Sequence, residues 1–96
     1  MSGRMAFLKE NGEAIKAFAA RHKAFNVAVF GSVARGEDRP DSDVDFLVTF
    51  DKGTSLLDLV GLQDALADYL KIPVDVISTG GLKERDHPIR AEALTL

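Results

Sequence analysis

Two apolar runs on either side of a short charged loop constrain the fold of this chain more than any other feature. Asn26–Phe30 is apolar on both alternating faces, which is typical of a central strand, and Gly31 ends it. Asp43–Phe50 alternates, so one face of this second strand is apolar while the other begins with two acids. The loop between the runs is too short for a normal crossover helix with its turns. We therefore expect a mixed sheet rather than an all-parallel one.

The segment before the first strand has the periodicity of a helix. Over Met5–Lys23 a stripe of apolar residues recurs at helical spacing, and charges fill the other face. The pair Asn11-Gly12 weakens the first turns, so we expect the start of this helix to be its least regular part. The stripe contains Leu8, Ile15, Phe18 and Ala19.

Two more helices and a third strand follow the second strand. Ser55 and Asp58 form a capping box that opens a helix ending near Leu70. Its expected buried stripe contains Leu56, Leu59, Val60, Leu66 and Leu70. Ile72–Ser78 is the third strand, and a last helix is expected over Pro88–Leu94 because proline suits a first helical turn.

The order of these elements predicts the fold class. Helix, strand, strand, helix, strand and helix give an α+β (α/β) layer, in which a small mixed β-sheet carries flanking helices. A chain of 96 residues is expected to form one domain, spanning residues 1–96. A small sheet of this kind leaves apolar surface to cover, so a homodimer or a hetero-oligomer is a reasonable expectation.

Composition excludes several classes of protein. A net charge of −3 with mixed acids and bases is not typical of a protein that coats nucleic acid. The chain has no cysteine, so neither a disulfide framework nor thiolate chemistry is available. No segment approaches the length of about 20 apolar residues that a membrane span needs. We therefore expect a soluble, cytoplasmic protein.

Asp43 and Asp45 are the first candidates for chemistry. Residues two apart in a strand share a face, so both carboxylates point the same way, roughly 6.6 Å apart along the strand. Two close carboxylates repel each other unless a cation sits between them, and Mg²⁺ prefers such oxygen ligands. On its own, however, Asp-x-Asp is more typical of a solvated strand start with a turn at Asp41-Ser42 than of a metal site.

Asp75 adds weight to the metal interpretation. It lies in the middle of the third strand between Val74 and Val76, where a carboxylate is expected to be paired or metal-bound. If this strand neighbours the second one, Asp75 faces the same point as Asp43 and Asp45. Three converging carboxylates are typical of a two-metal site. The alternative is a buried aspartate that accepts backbone N–H groups or pairs with an arginine.

Gly31-Ser32 and the arginines of the loop are candidates for phosphate binding. A glycine directly after a strand lets the backbone approach a phosphate, and the next turn offers N–H groups and the Ser32 hydroxyl. Alone, Gly-Ser is usually just a turn. Arg35 and Arg39 could neutralise phosphate charge or could pair with neighbouring acids, and Arg35 is the better candidate because it lies nearer Ser32.

These residues resemble a known family. Gly31-Ser32, ten residues, then Asp43-Val44-Asp45 is similar to the GS-x10-DxD signature of the nucleotidyltransferase superfamily that includes DNA polymerase beta. The short chain with "FGSVARG", "DSDVDFLV" and "VDVIS" resembles its minimal members, the MNT proteins, over nearly its whole length. The resemblance implies the polymerase beta-like fold of that superfamily.

The resemblance also implies roles for individual residues. Asp43 and Asp45 match the aspartates that bind magnesium, expected as two ions, and the nucleotide phosphates. Asp75 matches the third carboxylate, which helps to activate the attacking hydroxyl. Gly31 and Ser32 match the pair that holds the triphosphate.

The implied function is transfer of AMP from ATP to a hydroxyl, expected to be a tyrosine, of a partner HEPN-domain toxin. The protein would act as the antitoxin of that pair. Two alternatives stay open: an antitoxin that neutralises the toxin by contact alone, and a small-molecule nucleotidyltransferase, which the short length disfavours. Adenine recognition has no clear residue in the sequence, so ATP rests on the resemblance.

Overall fold

The computed structural model of the protein describes residues 3–37, 39, 43–81 and 93–96, and these form helices around one sheet. In chain order the elements are α1 (Gly3–Glu10), α2 (Gly12–Arg21), β1 (Ala24–Phe30), α3 (Gly31–Arg35), β2 (Val44–Phe50), α4 (Leu56–Leu70), β3 (Val74–Ser78), a 3₁₀ turn (Thr79–Gly81) and β4 (Leu94–Thr95). No helix in the described part of the chain is long and apolar enough to cross a membrane.

The four strands form a mixed sheet in the order β3-β2-β1-β4. β1 and β2 pair antiparallel, whereas β2 and β3 pair parallel through the crossover helix α4. The mixed sheet and the central position of β1 are therefore confirmed. The parallel pairing brings the second and third strands side by side, which is the condition on which the convergence of the acids depends.

The predicted helix Met5–Lys23 is divided into two helices at Asn11. The Asn11 side-chain amide donates to the carbonyl oxygen of Phe7 at 2.8 Å, where it competes with the regular backbone pattern. Gly12, with its low helix propensity, comes directly after. The irregularity that the pair Asn11-Gly12 predicted for the first turns is thus a break between two helices.

The core lies between the helices and one face of the sheet. Its buried residues are Met5 and Leu8 of α1, Ile15 and Ala19 of α2, Val33 of α3, Leu62, Leu66 and Leu70 of α4, and Ala24, Val27, Val29, Val44, Phe46, Val48, Val74 and Val76 of the strands. The face of β2 predicted to form the core consists of Val44, Phe46, Val48 and Phe50. The first three are completely buried, and Phe50 at the end of the strand is half-buried.

The stripe predicted for α4 is partly wrong. Leu56 and Val60 are 74% and 41% exposed, whereas Leu62, which the stripe omitted, is completely buried. α4 is apolar around much of its circumference, so periodicity alone did not define the face that packs on β3. The capping box at its start is confirmed, because the Ser55 N–H donates to Oδ2 of Asp58 at 3.1 Å.

The predicted last helix is wrong at its end. Leu94 belongs to β4, which pairs antiparallel with β1 opposite Val29, and the Leu96 N–H donates to the Val27 carbonyl at 3.1 Å. Leu94 and Thr95 thus form a fourth strand that pairs with the edge of β1. The rest of the predicted segment, residues 88–92, lies outside the described residues.

Candidate active site

Asp45 lies in the sheet between Phe30 of β1 and Asp75 of β3. Phe30 is its antiparallel partner and Asp75 its parallel partner in the strand registers. Directly opposed residues of neighbouring strands share a face. Since Val44 and Val74 are buried on the helix side, the two carboxylates emerge on the other side of the sheet.

Asp43 comes just before β2, at the point where the ladder with β3 begins. The Val44 N–H donates to the Pro73 carbonyl at 3.0 Å, which fixes the start of the pairing. The period of two along a strand places Asp43 on the side of Asp45. The backbone thus brings all three acids to one end and one side of the β2–β3 pair.

The exposure of these acids differs from the sequence-based expectation for one of them. Asp45 is half-buried and Asp43 is exposed, but Asp75 is exposed as well, although it was expected to be buried among valines. The physical reason is that β3 is an edge strand and the face that carries Asp75 is not the helix-covered one. Because the Asp75 carboxylate is exposed to solvent, it does not need an ion or a hydrogen-bond partner within the protein.

The donor set suits magnesium, but the side chains are not gathered around one point. Over residues 3–37, 39, 43–81 and 93–96, no three His, Cys, Asp or Glu side chains form a group that could hold a metal ion. Carboxylate oxygens on paired backbone positions are nevertheless the hard ligands that Mg²⁺ takes. The convergence of the three carboxylates on shared ions stays a prediction.

Gly31 is held in close contact with Asp45. Its φ is +74°, and a Cβ at this position would collide with Oδ2 of Asp45 and lie 3.4 Å from Cγ. The left-handed conformation and the lack of space both require glycine here. Ser32 follows in the first turn of α3 and is half-buried.

Arg35, the predicted phosphate-binding arginine, lies at the end of α3 with its side chain exposed. Its Nε donates to Oε2 of Glu37 at 3.1 Å. The pair shows that the arginine reaches forward along the chain into the loop, and a surface ion pair of this kind contributes little to stability. If Arg35 left Glu37 to pair with a phosphate, the loss of the ion pair would cost little free energy.

A separate pocket lies at the opposite end of β2. It has a volume of about 340 Å³ and is lined by Phe50, Asp51, Thr54, Ser55, Leu56, Leu59 and Ser78. Phe50 is five residues beyond Asp45, roughly 16 Å along the strand. The pocket is thus no part of the site around Gly31 and the acids.

Gln63 of α4 is a polar contact next to the site that the sequence analysis missed. Its Oε1 accepts the backbone N–H of Val76 at 3.0 Å, directly after Asp75. The signal available in the sequence was an amide residue directly after Leu62 in an apolar helix. A buried polar group of this kind is expected to have a specific partner.

Comparison with known proteins shows the family to which this chain belongs. The family model of the nucleotidyltransferase domain matches residues 12–94. A Methanocaldococcus jannaschii protein, provisionally named protein adenylyltransferase MJ1215, is 36% identical over 86 residues, covering 85% of this chain and 100% of its own. Protein adenylyltransferase MntA of Thermococcus cleftensis is 44% identical over 57 residues, 59% of this chain and 58% of its own. The match likewise spans only 63% of MJ0126, another M. jannaschii relative with the same provisional name.

Solved structures share the fold. One of them, provisionally assigned as a minimal nucleotidyltransferase, has a TM-score of 0.85 and 44% identity. The match covers 100% of this chain and 97% of that one. A toxin–antitoxin structure with AMP-PNP has a TM-score of 0.76 at 19% identity, covering 88% of this chain and 71% of its own. A complex of a tri-AMPylated Shewanella oneidensis HEPN toxin with an MNT antitoxin has a TM-score of 0.68 at 17% identity, covering 91% and 69%. The chain belongs to the nucleotidyltransferase domain family, and its resemblance to the minimal members of that family is confirmed.

Proposed function

We propose that this protein, as a single domain over residues 1–96, transfers AMP from ATP to a hydroxyl group of a partner protein in a Mg²⁺-dependent reaction. The observation that carries the proposal is the row of Asp45 and Asp75 on paired strands, with Gly31 in contact with the first of them. The names of the relatives, protein adenylyltransferases, support this class of reaction.

The roles proposed for the acids are those that the resemblance to the nucleotidyltransferase family implies. Asp43 and Asp45 would hold magnesium, and Asp75, beside Asp45 on the next strand, takes the proton of the attacking hydroxyl. When bound, magnesium stabilises the charge on the attacking and leaving oxygens. The hydroxyl oxygen forms a new bond to the α-phosphorus, the bond from that phosphorus to the bridging oxygen breaks, and pyrophosphate leaves.

The Gly31-Ser32 turn is proposed to hold the β- and γ-phosphates. Backbone N–H groups of α3 and the Ser32 hydroxyl supply donors, and Arg35 supplies positive charge once it exchanges Glu37 for a phosphate. ATP as the donor is supported by the similar fold of a toxin–antitoxin structure with AMP-PNP.

The proposed partner is a toxin with a HEPN domain, the proposed acceptor is a tyrosine of that toxin, and the proposed compartment is the cytoplasm. A complex of a tri-AMPylated HEPN toxin with an MNT antitoxin shares this fold, which supports the choice of partner. In this role the protein is an antitoxin, and modification of the toxin is what neutralises it.

The test mixes the protein, the product of the neighbouring gene, labelled ATP and Mg²⁺. The proposal predicts label on the partner in the wild type and a loss of about 100-fold or more in Asp43→Asn, which keeps the side-chain shape but removes a charged ligand. An exposed aspartate away from the site provides the matched control, Asp68→Asn. A partner that stays unlabelled with the wild-type protein would rule the proposal out.

A second candidate is an antitoxin that acts by contact alone. The absence of a ready three-carboxylate group among the described residues favours it. In cells that express the toxin, this candidate predicts that Asp43→Asn protects as well as the wild type, whereas the transferase predicts loss of protection.

A further inference from the structure

The third acid of the site lies on the least supported strand of the sheet. β2, which carries Asp45 and follows Asp43, has a neighbour on each side. Among the described residues, β3 is an edge strand that pairs only with β2. Edge strands open and shift more readily than interior ones. A carboxylate on β3 therefore needs support from outside the sheet to keep its position relative to β2.

The hydrogen-bond pattern between β2 and β3 shows which peptide groups of β3 do not bond to β2. In a parallel pair, alternate residues of a strand direct both backbone groups to the same neighbour. Since the Pro73 carbonyl accepts from Val44, Asp75 directs its peptide groups toward β2 and Val76 directs its own outward. The outward N–H of Val76 belongs to the peptide group that directly follows the Asp75 α-carbon.

Gln63 binds that outward group. Its Oε1 accepts the Val76 N–H at 3.0 Å, and because a backbone N–H can only donate, the oxygen of the amide must face the strand. Val76 is only 6% exposed, so without this acceptor its N–H would be a buried, unsatisfied donor. Loss of the acceptor therefore favours rotation of the peptide that carries Asp75.

We propose that Gln63 is a positioning residue for Asp75: it clamps the outer edge of β3 and holds this carboxylate beside Asp45. The inference rests on the proposed function, since it concerns the acid that takes the proton of the acceptor. In this proposal Gln63 acts only through the backbone of β3 and has no direct role in binding ATP or the acceptor. Its loss therefore lowers kcat and leaves the KM for ATP, which depends on Asp43, Asp45 and the Gly31-Ser32 turn, nearly unchanged.

The test compares two variants whose side chains at residue 63 are about as long as that of glutamine. Gln63→Met keeps the shape of the side chain without an amide acceptor, whereas Gln63→Glu keeps an oxygen that can accept the Val76 N–H. We expect kcat for AMP transfer to fall about tenfold or more in Gln63→Met, with the KM for ATP within about twofold, and to recover in Gln63→Glu. The exposed neighbour on the same helix provides the control, Asp64→Ala. Equal changes in kcat for Gln63→Met and Asp64→Ala would overturn the inference.

Amide hydrogen exchange separates this inference from the proposed function. In Gln63→Met, exchange at Asp75 and Val76 is expected to be at least about tenfold faster, while Val27 and Val29 of β1 keep the wild-type rate. Unchanged exchange at Asp75 would contradict the clamp, whatever the activity. A wild type that does not transfer AMP would contradict the proposed function, and the exchange rates would still decide whether Gln63 fixes Asp75.

Discussion

The carboxylate of Asp45 lies against the α-carbon of Gly31, in the space that a side chain at residue 31 would need. The glycine thus does more than turn the chain out of β1. It leaves room for the acid of the neighbouring strand at the start of the turn that we propose binds phosphate. The contact joins the two halves of the Gly-Ser and Asp-x-Asp motif, which are separated by ten residues in the sequence.

Gly31→Ala and Gly36→Ala separate the conformational role of glycine from this contact. Both residues have a φ of +74°, so alanine is expected to cost about 1–2 kcal/mol of unfolding free energy at either position. Among the residues that the structure describes, a Cβ at Gly36 meets nothing within 4 Å, whereas one at Gly31 displaces the Asp45 carboxylate. Urea unfolding should therefore give similar losses, while AMP transfer falls about 100-fold in Gly31→Ala alone. Equal loss of transfer in both variants would show that the contact has no role.

Asp75→Asn tests the third acid with little interference from stability. Because Asp75 is exposed, its replacement by the isosteric amide is expected to change the free energy of unfolding by less than about 0.5 kcal/mol. Transfer of AMP is expected to fall by about 100-fold, since asparagine cannot take the proton of the acceptor. Kinetics with labelled ATP and Asp68→Asn as the control check this. Wild-type transfer rates in Asp75→Asn would remove this residue from the mechanism.

Magnesium binding should be visible as stabilisation of the folded state. A ligand that binds only the folded protein adds about 1.4 kcal/mol at ten times its dissociation constant. We expect thermal unfolding of the wild type to shift upward with MgCl₂ and that of Asp45→Asn to shift much less. NaCl at equal ionic strength is the control for screening of the acids. Identical shifts in the two proteins would place the ion elsewhere.

Lys71→Gly should stabilise the protein. Lys71 ends α4 in the left-handed conformation, with a φ of 61°, which is costly for a residue with a side chain. Its ion pair with Asp68 spans 3.6 Å between side chains that are 79% and 87% exposed, so its loss matters little. We expect a gain of about 0.5–1 kcal/mol in Lys71→Gly and none in Lys71→Ala, as measured by urea unfolding. A loss of stability in the glycine variant would refute this.

The sequence predicted the sheet well where patterns were local. β1, β2 and β3 were found within two residues of their ends, because alternation and the flanking glycines mark them. β4 has only two residues, and its place is decided by the free edge of β1, which no local pattern encodes. The same holds for α4, where packing on β3 selects Leu62 over Leu56 although both lie in the same apolar helix.

The site was predictable in part for the same reason. The spacing of Asp43 and Asp45 fixes their common side through the period of a strand, and the parallel register then adds Asp75. The exposure of Asp75 depends on which strand forms the edge, and the clamp by Gln63 depends on where α4 crosses β3. Neither can be derived from spacing along the chain.

A crystal structure with Mg²⁺ and a non-hydrolysable ATP analogue is the most direct test of the central claim. We predict at least one ion bound by carboxylate oxygens of both Asp45 and Asp43 at about 2.1 Å, with the Asp75 carboxylate facing the α-phosphate and the triphosphate on the Gly31-Ser32 turn. A nucleotide bound instead in the pocket around Phe50 and Leu56, or ions that leave all three acids uncoordinated, would contradict it.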